Sequence, residues 1–196
     1  MHDPERFRRY VQAMTQLVST AGIAEPALLD GGARLLGELL EHDDWLPADL
    51  ARSSSEGYRQ YLLHCDPLER FSVVSFVWEP GQKTPVHDHL TWGLVGQLRG
   101  EELCEEYART ADGAYARTGA HRMRRGAVDR VSPTIGDVHA VSNAGSDVSV
   151  SIHVYGANIG AVRRHVFDPA TGAARDFVSG YHNAWVPNLW APAVAK

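Results

Sequence analysis

Cysteine is scarce in this chain: Cys65 and Cys104 are the only two in 196 residues. Two cysteines do not make a disulfide framework, so the fold must rest on an apolar core. Both are read as small buried hydrophobes. Long apolar runs are missing as well. No stretch approaches the roughly 20 residues that span a bilayer, and the opening Met1-His-Asp-Pro-Glu-Arg6 has no apolar signal region. The expectation is a cytoplasmic protein without a membrane partner. An excess of basic charge is also absent. The formal net charge is -5, which leaves no electrostatic footprint for nucleic acid. The one basic run, His121-Arg-Met-Arg-Arg125, is short and reads as a solvated strand or turn.

What is present changes in texture along the chain. Residues 1–66 read as helical. Phe7, Val11, Met14 and Val18 recur at helical spacing between Glu5 and Val18. Leu28, Leu29, Leu35, Leu36, Leu39 and Leu40 form a second stripe over 25–41, weakened in its middle by Gly31 and Gly32. A third, short helix is expected from Glu56 to Leu63. After Asp66-Pro67 the residues turn β-branched and aromatic, beginning with Phe71 to Trp78. Further strands are expected at 91–98, 101–109, 127–132, 137–143, 147–155 and 160–167, with Gly or Pro between them. Residues 67–196 thus read as a β-sandwich or closed barrel with a tail, and 1–196 as one domain with its helices outside.

Three histidines carry the chemistry. His87 and His89 are two residues apart and project from one face if the segment is extended. His139 follows in Pro133-Thr-Ile-Gly136-Asp-Val-His139 and must come from a neighbouring strand. Three neutral imidazoles suit iron, zinc, copper or nickel. No Glu or Asp stands where a fourth protein ligand is expected. The ion keeps its full double charge and favours anionic ligands such as a thiolate. A second polar group lies in Ser149-Val-Ser151-Ile-His153-Val-Tyr155. On a strand Ser151, His153 and Tyr155 share one side. That side is either the solvent face of an edge strand or the wall of a metal cavity.

These segments resemble the two motifs of the cupin superfamily. Gly81, His87, His89 and Gly100 fit the first; Gly126, Pro133, Gly136, His139 and Asn143 fit the second with small spacing changes. Gly93 stands at the usual Glu position. The resemblance implies a cupin-type β-barrel of the double-stranded β-helix or jelly-roll kind. The Ser-x-His-x-Tyr segment, followed by Gly156 to Asp168, resembles the thiol dioxygenase family, and the likeness runs from about Tyr58 to Tyr181. That family includes cysteine dioxygenase and 3-mercaptopropionate dioxygenase. It uses Fe(II) and O2 to turn a thiol into a sulfinate.

The resemblance therefore implies Fe(II) held by His87, His89 and His139, with Tyr155, His153 and Ser151 supporting catalysis. It makes Arg164 the residue that holds the substrate carboxylate, with Arg163 turned outward. Gln60, two residues after a matching Tyr58, falls where cysteine dioxygenases place a carboxylate-binding Arg. It implies the 3-mercaptopropionate type and is expected to brace Arg164. Gly93 also replaces the Cys that crosslinks to the active-site Tyr in mammalian-type enzymes. Cysteine and mercaptosuccinate remain alternative substrates. Mercaptosuccinate would need another cation, for which Arg163 and Lys83 are candidates. The expected partners are a small thiol and O2; the sequence leaves the oligomeric state open. Other readings are a different cupin enzyme or a non-catalytic metal-binding cupin. Trp92 could wall the pocket or pack in the core. Tyr181, Trp185 and Trp190 could cover the barrel mouth.

Overall fold

The computed structural model describes residues 3–190. Helix α1 (Pro4–Val18) starts at Asp3, whose carboxylate accepts the Glu5 backbone N–H at 3.1 Å. Pro4 occupies the first turn, where its missing N–H costs nothing. Helix α2 (Glu25–Leu40) follows. Eleven strands come next: β1 (Arg59–Cys65), β2 (Ser72–Trp78), β3 (Val86–His87), β4 (Gly93–Arg99), β5 (Glu101–Arg109), β6 (Tyr115–Arg124), β7 (Val128–Val131), β8 (His139–Asn143), β9 (Ser149–Tyr155), β10 (Arg164–Phe167) and β11 (Ala174–Phe177). They form two antiparallel sheets, ordered β1-β2-β9-β4-β7 and β11-β10-β3-β8-β5-β6. The architecture is mostly β, a two-sheet barrel with both helices packed outside.

The period of two along each strand divides the barrel's contacts. In the first sheet Val73, Val77, Leu94, Leu98, Val150, Ile152 and Val154 face the helices and meet Met14, Leu36 and Leu40. Burying each such side chain contributes about 1.5–3 kcal/mol. Two glycines let helix and sheet approach closely. A Cβ on Gly32 would lie 2.8 Å from Leu94 Cδ1, and one on Gly96 would lie 2.6 Å from Leu40 Cδ1. Gly31 and Gly32 do not interrupt α2, because packing against β4 outweighs their poor helix propensity. The alternate residues, among them Val74, Phe76, Trp78, Val95 and Tyr155, point into the barrel.

Three expectations need correction. The segment read as a helix from Glu56 to Leu63 is largely strand β1, so residues 1–66 are not wholly helical. It pairs with β2, Arg59 opposite Val77, and a bulge between Leu62 and His64 breaks the alternation a strand usually shows. β6 was expected only at its end, in the basic run 121–125 read as a solvated strand or turn, because Gly119, two alanines and four cationic or imidazole side chains dilute its pattern, leaving Met123 as its buried residue. β11 is a short, exposed edge strand. Among the described residues, no helix is long and apolar enough to cross a membrane.

Candidate metal centre

Strand pairing brings the three histidines together. His87 on β3 lies directly opposite His139 on β8. His89 follows two residues after His87, just beyond the end of β3. The ring centroids are 4.9 Å apart for His87–His89 and His87–His139 and 4.8 Å for His89–His139. One ligand nitrogen from each lies within 4.8 Å of the others, and all three residues are buried.

Each ring is held from behind through Nδ1. His87 Nδ1 contacts the Pro85 carbonyl at 3.0 Å, and His89 Nδ1 contacts Asp137 Oδ1 at 2.9 Å. His139 Nδ1 meets the Cys104 sulfur at 3.6 Å. Asp137 also accepts the backbone N–H groups of His89 (3.0 Å) and Leu90 (2.9 Å). It thereby pins a turn in which Leu90 sits at φ 60, an uncommon conformation for a non-glycine residue. A carboxylate behind a histidine is the usual way to orient a metal ligand. Burial, followed by the neighbouring imidazoles, pushes His87 and His139 well below the ordinary histidine pKa. They are neutral and able to act as ligands.

The donor set fits a metal ion. His89 Nε2 is buried and has no hydrogen-bond partner in the protein. Buried polar atoms are rarely left so, and a cation between the three rings would engage it. No fourth ligand comes from position 93, where a Cβ would lie 2.8 Å from Tyr155 Cδ1. As a glycine, Gly93 also offers no side chain to join to Tyr155. Asp88 faces away from the cluster, accepting the His165 backbone N–H at 2.8 Å and contacting His165 Nδ1 at 2.7 Å.

Ser151, His153 and Tyr155 face the barrel interior, because β9 is a central strand with β2 and β4 on either side. Ser151 Oγ lies 2.9 Å from His153 Nε2, and His153 Nδ1 lies 2.8 Å from the Tyr155 hydroxyl. Burial pushes the His153 pKa down to about 3 and the Tyr155 pKa up, so both are neutral. The Tyr155 ring stacks on His89 with centroids 5.1 Å apart, which puts the chain of hydrogen bonds beside the cluster.

A cavity of about 420 Å³ is lined by His87, His139, His153, Tyr155 and Arg164. Arg164 is 5% exposed. Its Nη2 donates to Ser179 Oγ at 2.9 Å, and its guanidinium lies over Phe177 at 4.6 Å. Its Nε is buried without a partner. Arg163 points to solvent and pairs with Asp176 at 3.4 Å. Gln60 lines the cavity, but its amide donates to the Gly180 carbonyl and not to Arg164. It anchors the segment after β11, where the Asn183 side chain also bonds the Leu62 backbone N–H (2.8 Å) and carbonyl (2.9 Å).

Trp92 packs in the helix-facing core, its indole over Gly156. The Tyr181 hydroxyl accepts the Gly160 N–H at 2.9 Å and donates to Asn158 at 2.8 Å, fixing the tail. Trp185 and Trp190 are 86% and 68% exposed and do not line the cavity; Arg8 lies over the Trp190 ring at 5.5 Å. Lys83 is exposed and does not line the cavity. The sequence reading missed Asp137, Phe177 and Ser179. Only Asp137 carried a signal, an acid two residues before a candidate ligand. Cys104, His121 and Asp129 also bring ligand atoms within 4.8 Å of one another. There His121 Nε2 is already closed onto Asp129 at 2.5 Å.

No family model matches the sequence. Among solved structures, a protein with a double-stranded β-helix domain from Klebsiella pneumoniae is 20% identical. The match covers 61% of this chain and 95% of that one, with a TM-score of 0.45. A cupin superfamily protein from Desulfitobacterium hafniense is 14% identical over 60% of this chain and 94% of that one, with a TM-score of 0.44. An oxalate oxidase in complex with the substrate analogue glycolate is 18% identical over 59% and 61%, with a TM-score of 0.45.

Proposed function

We propose that this protein is a non-haem Fe(II) thiol dioxygenase. On this reading it oxidises a small carboxylate-bearing thiol, 3-mercaptopropionate best, to its sulfinate. The observation that carries the reading is one cavity lined both by His87 and His139 of the three-histidine cluster and by the underpaired Arg164. A buried guanidinium without a carboxylate is costly, and a substrate carboxylate offsets that cost through a forked pair of hydrogen bonds. Held there, a short thiol has its sulfur end free to reach the histidines, which is an orientation effect.

His87, His89 and His139 would hold the iron, which supplies a thiolate-binding, redox-active centre for reaction with O2. Both oxygen atoms enter the product, RSH + O2 giving RSO2H, so no external reductant is needed. Tyr155 offers its hydroxyl as a hydrogen-bond donor to the reacting groups, with His153 and Ser151 behind it. The lining shows no dedicated site for an amino group. Its one acid, Asp176, is engaged by Arg163. This favours 3-mercaptopropionate over cysteine. One observation supports mercaptosuccinate as a second reading: Arg175 lines the same cavity and could meet a second carboxylate. Free thiols and ferrous iron suit the cytoplasm.

The test is O2 consumption by iron-loaded protein with 3-mercaptopropionate, cysteine and mercaptosuccinate in parallel, with the sulfinate identified by mass spectrometry. The highest kcat/KM is expected for 3-mercaptopropionate. No uptake with any thiol would sink the assignment.

A further inference from the structure

A second group of metal-ligating side chains stands apart from the three histidines. Cys104 on β5 lies directly opposite His121 on β6, and two residues along, on the same face, Glu106 lies opposite Gly119. β6 ends one sheet and β7 ends the other, and Asp129 on β7 meets His121 across that seam. Cys104, His121 and Asp129 bring their ligand atoms within 4.8 Å of one another. All three line a cavity of about 340 Å³, together with Glu106. His139 lines this cavity as well as the first one. Cys104 Sγ meets the His139 ring at Nδ1, 3.6 Å away, so the thiol lies behind that histidine and not among the ligands of the three-histidine cluster.

His121 is flanked by acid at both ring nitrogens. Nε2 lies 2.5 Å from Asp129 Oδ2, and Nδ1 lies 3.6 Å from Glu106 Oε1. Gly119 makes room for the Glu106 carboxylate, since a Cβ there would lie 2.8 Å from Oε2. A neutral imidazole has one N–H and can satisfy only one of the two acids. Its other nitrogen then turns a lone pair toward an anion, which calls for a cation between them. Among the described residues, Asp129 and Glu106 pair with no Arg or Lys. The nearby Arg117 and Arg130 are taken by Glu105 and Asp30.

We propose that Cys104, His121 and Asp129 form a second metal site, suited to zinc or a divalent ion of similar softness, with water as the fourth ligand. Thiolate, imidazole and carboxylate are donors that zinc takes, and a sulfur ligand disfavours magnesium and calcium. Around one zinc ion such donor atoms stand about 3–4 Å apart. His121 and Asp129 must therefore part by about 0.5–1 Å, the ion replacing the proton between them, while Cys104 closes in. Their side chains are 40% and 27% exposed, which leaves room for that adjustment. The Cys104 proton passes to solvent as the metal–sulfur bond forms. Glu106 orients the His121 ring through Nδ1, as Asp137 does for His89. The ion ties β5 and β6 to β7 and closes the seam between the sheets. This site goes beyond the dioxygenase reading and does not depend on it.

The test is a cobalt(II) titration of metal-free, reduced protein, followed by absorption spectroscopy. Thiolate-bound cobalt gives a charge-transfer band in the near ultraviolet, and three histidines cannot produce one. The wild type is expected to bind two ions per chain and to show the band, which zinc then abolishes by displacement. His121→Ala and the near-isosteric Asp129→Asn should each bind one ion and show no band. Cys65→Ser, which changes the other thiol, should keep both ions and the band. A wild type that takes up one ion without the band overturns the proposal, because a proton alone then joins His121 to Asp129. A band that survives both His121→Ala and Asp129→Asn, or that is lost in Cys65→Ser, also overturns it. Oxygen uptake is a separate readout. If no thiol is oxidised while the band behaves as described, the dioxygenase reading fails and the second site stands. If thiol is oxidised but the band is absent, only the second site fails.

Discussion

Replacing Arg164 with Met tests the substrate pocket through two opposed effects. The guanidinium is buried, donates one hydrogen bond to Ser179 and leaves Nε unpaired. In the metal-free protein, a flexible apolar side chain of similar reach removes an uncompensated buried charge. Stability should not fall, and a gain of about 1–3 kcal/mol is expected from buried-charge replacements of this kind. With substrate the sign reverses. Losing one partner of a buried, hydrogen-bonded charge pair costs about 2–5 kcal/mol. At about 1.4 kcal/mol per factor of ten, kcat/KM for 3-mercaptopropionate should drop roughly 30-fold to several-thousand-fold. Most of the loss should appear in KM, because the carboxylate contact is made in both ground and transition states. The assay is O2 uptake with 3-mercaptopropionate and with 2-mercaptoethanol, which has no carboxylate. Thermal unfolding of the metal-free protein runs beside it. The variant should lose its advantage for the acid and change little with the alcohol. An equal loss on both thiols would mean that Arg164 holds the wall and not the substrate. A loss below about threefold on the acid would refute the pairing.

Asp137→Ala should lower iron affinity by about 10- to 100-fold, the usual effect of removing the acid behind a ligating histidine. Competition against a chelator reads this directly, and an unchanged affinity would show that His89 needs no brace. Gly93→Ala places a Cβ 2.8 Å from Tyr155 and 2.9 Å from Val131. Overpacking of about 1–3 kcal/mol should lower Tm, and an unshifted Tm would show that the ring yields freely. Asp66, hydrogen-bonded by Arg70 at 2.7 and 2.8 Å, has its pKa lowered from 3.8 to about 2. A depressed acid stabilises the fold above its unfolded value, and that stability is lost as pH falls from about 4 toward 2. With Arg70 partly in solvent, Asp66→Asn should cost about 1–2 kcal/mol at pH 7. The difference from wild type should vanish near pH 2, and a constant difference across that range would contradict the linkage.

The metal ligands were legible because two strong constraints act on them at once. A His-x-His pair shares one side of an extended segment, and a spaced third histidine has to meet it from the next strand. β9 was only half legible. Its alternation separates Ser151, His153 and Tyr155 from Val150, Ile152 and Val154, but the period of two is the same for an edge strand facing water. Its central place in the sheet, given by pairing with β2 and β4, resolves the two. β1 was misread because Tyr61, Leu62 and Leu63 are compatible with either periodicity, and the bulge after Leu62 removes the alternation. Gln60 was placed in the pocket, while its hydrogen-bond partner came from 120 residues away in sequence.

Glu102 marks the limit of such reading. In Gly100-Glu-Glu-Leu-Cys-Glu-Glu106 it is one of four acids in six residues, a pattern that reads as a solvated face. Pleating splits that run. Glu101 and Glu105 pair with arginines on the outside, while Glu102 and Cys104 turn inward. A buried acid bonded only by one serine and one glutamine is expensive unless it is neutral. Composition therefore hides the one acid in the run that the fold buries completely. Its burial emerges only when the strand's alternation and the partners on β4 and β9 are taken together.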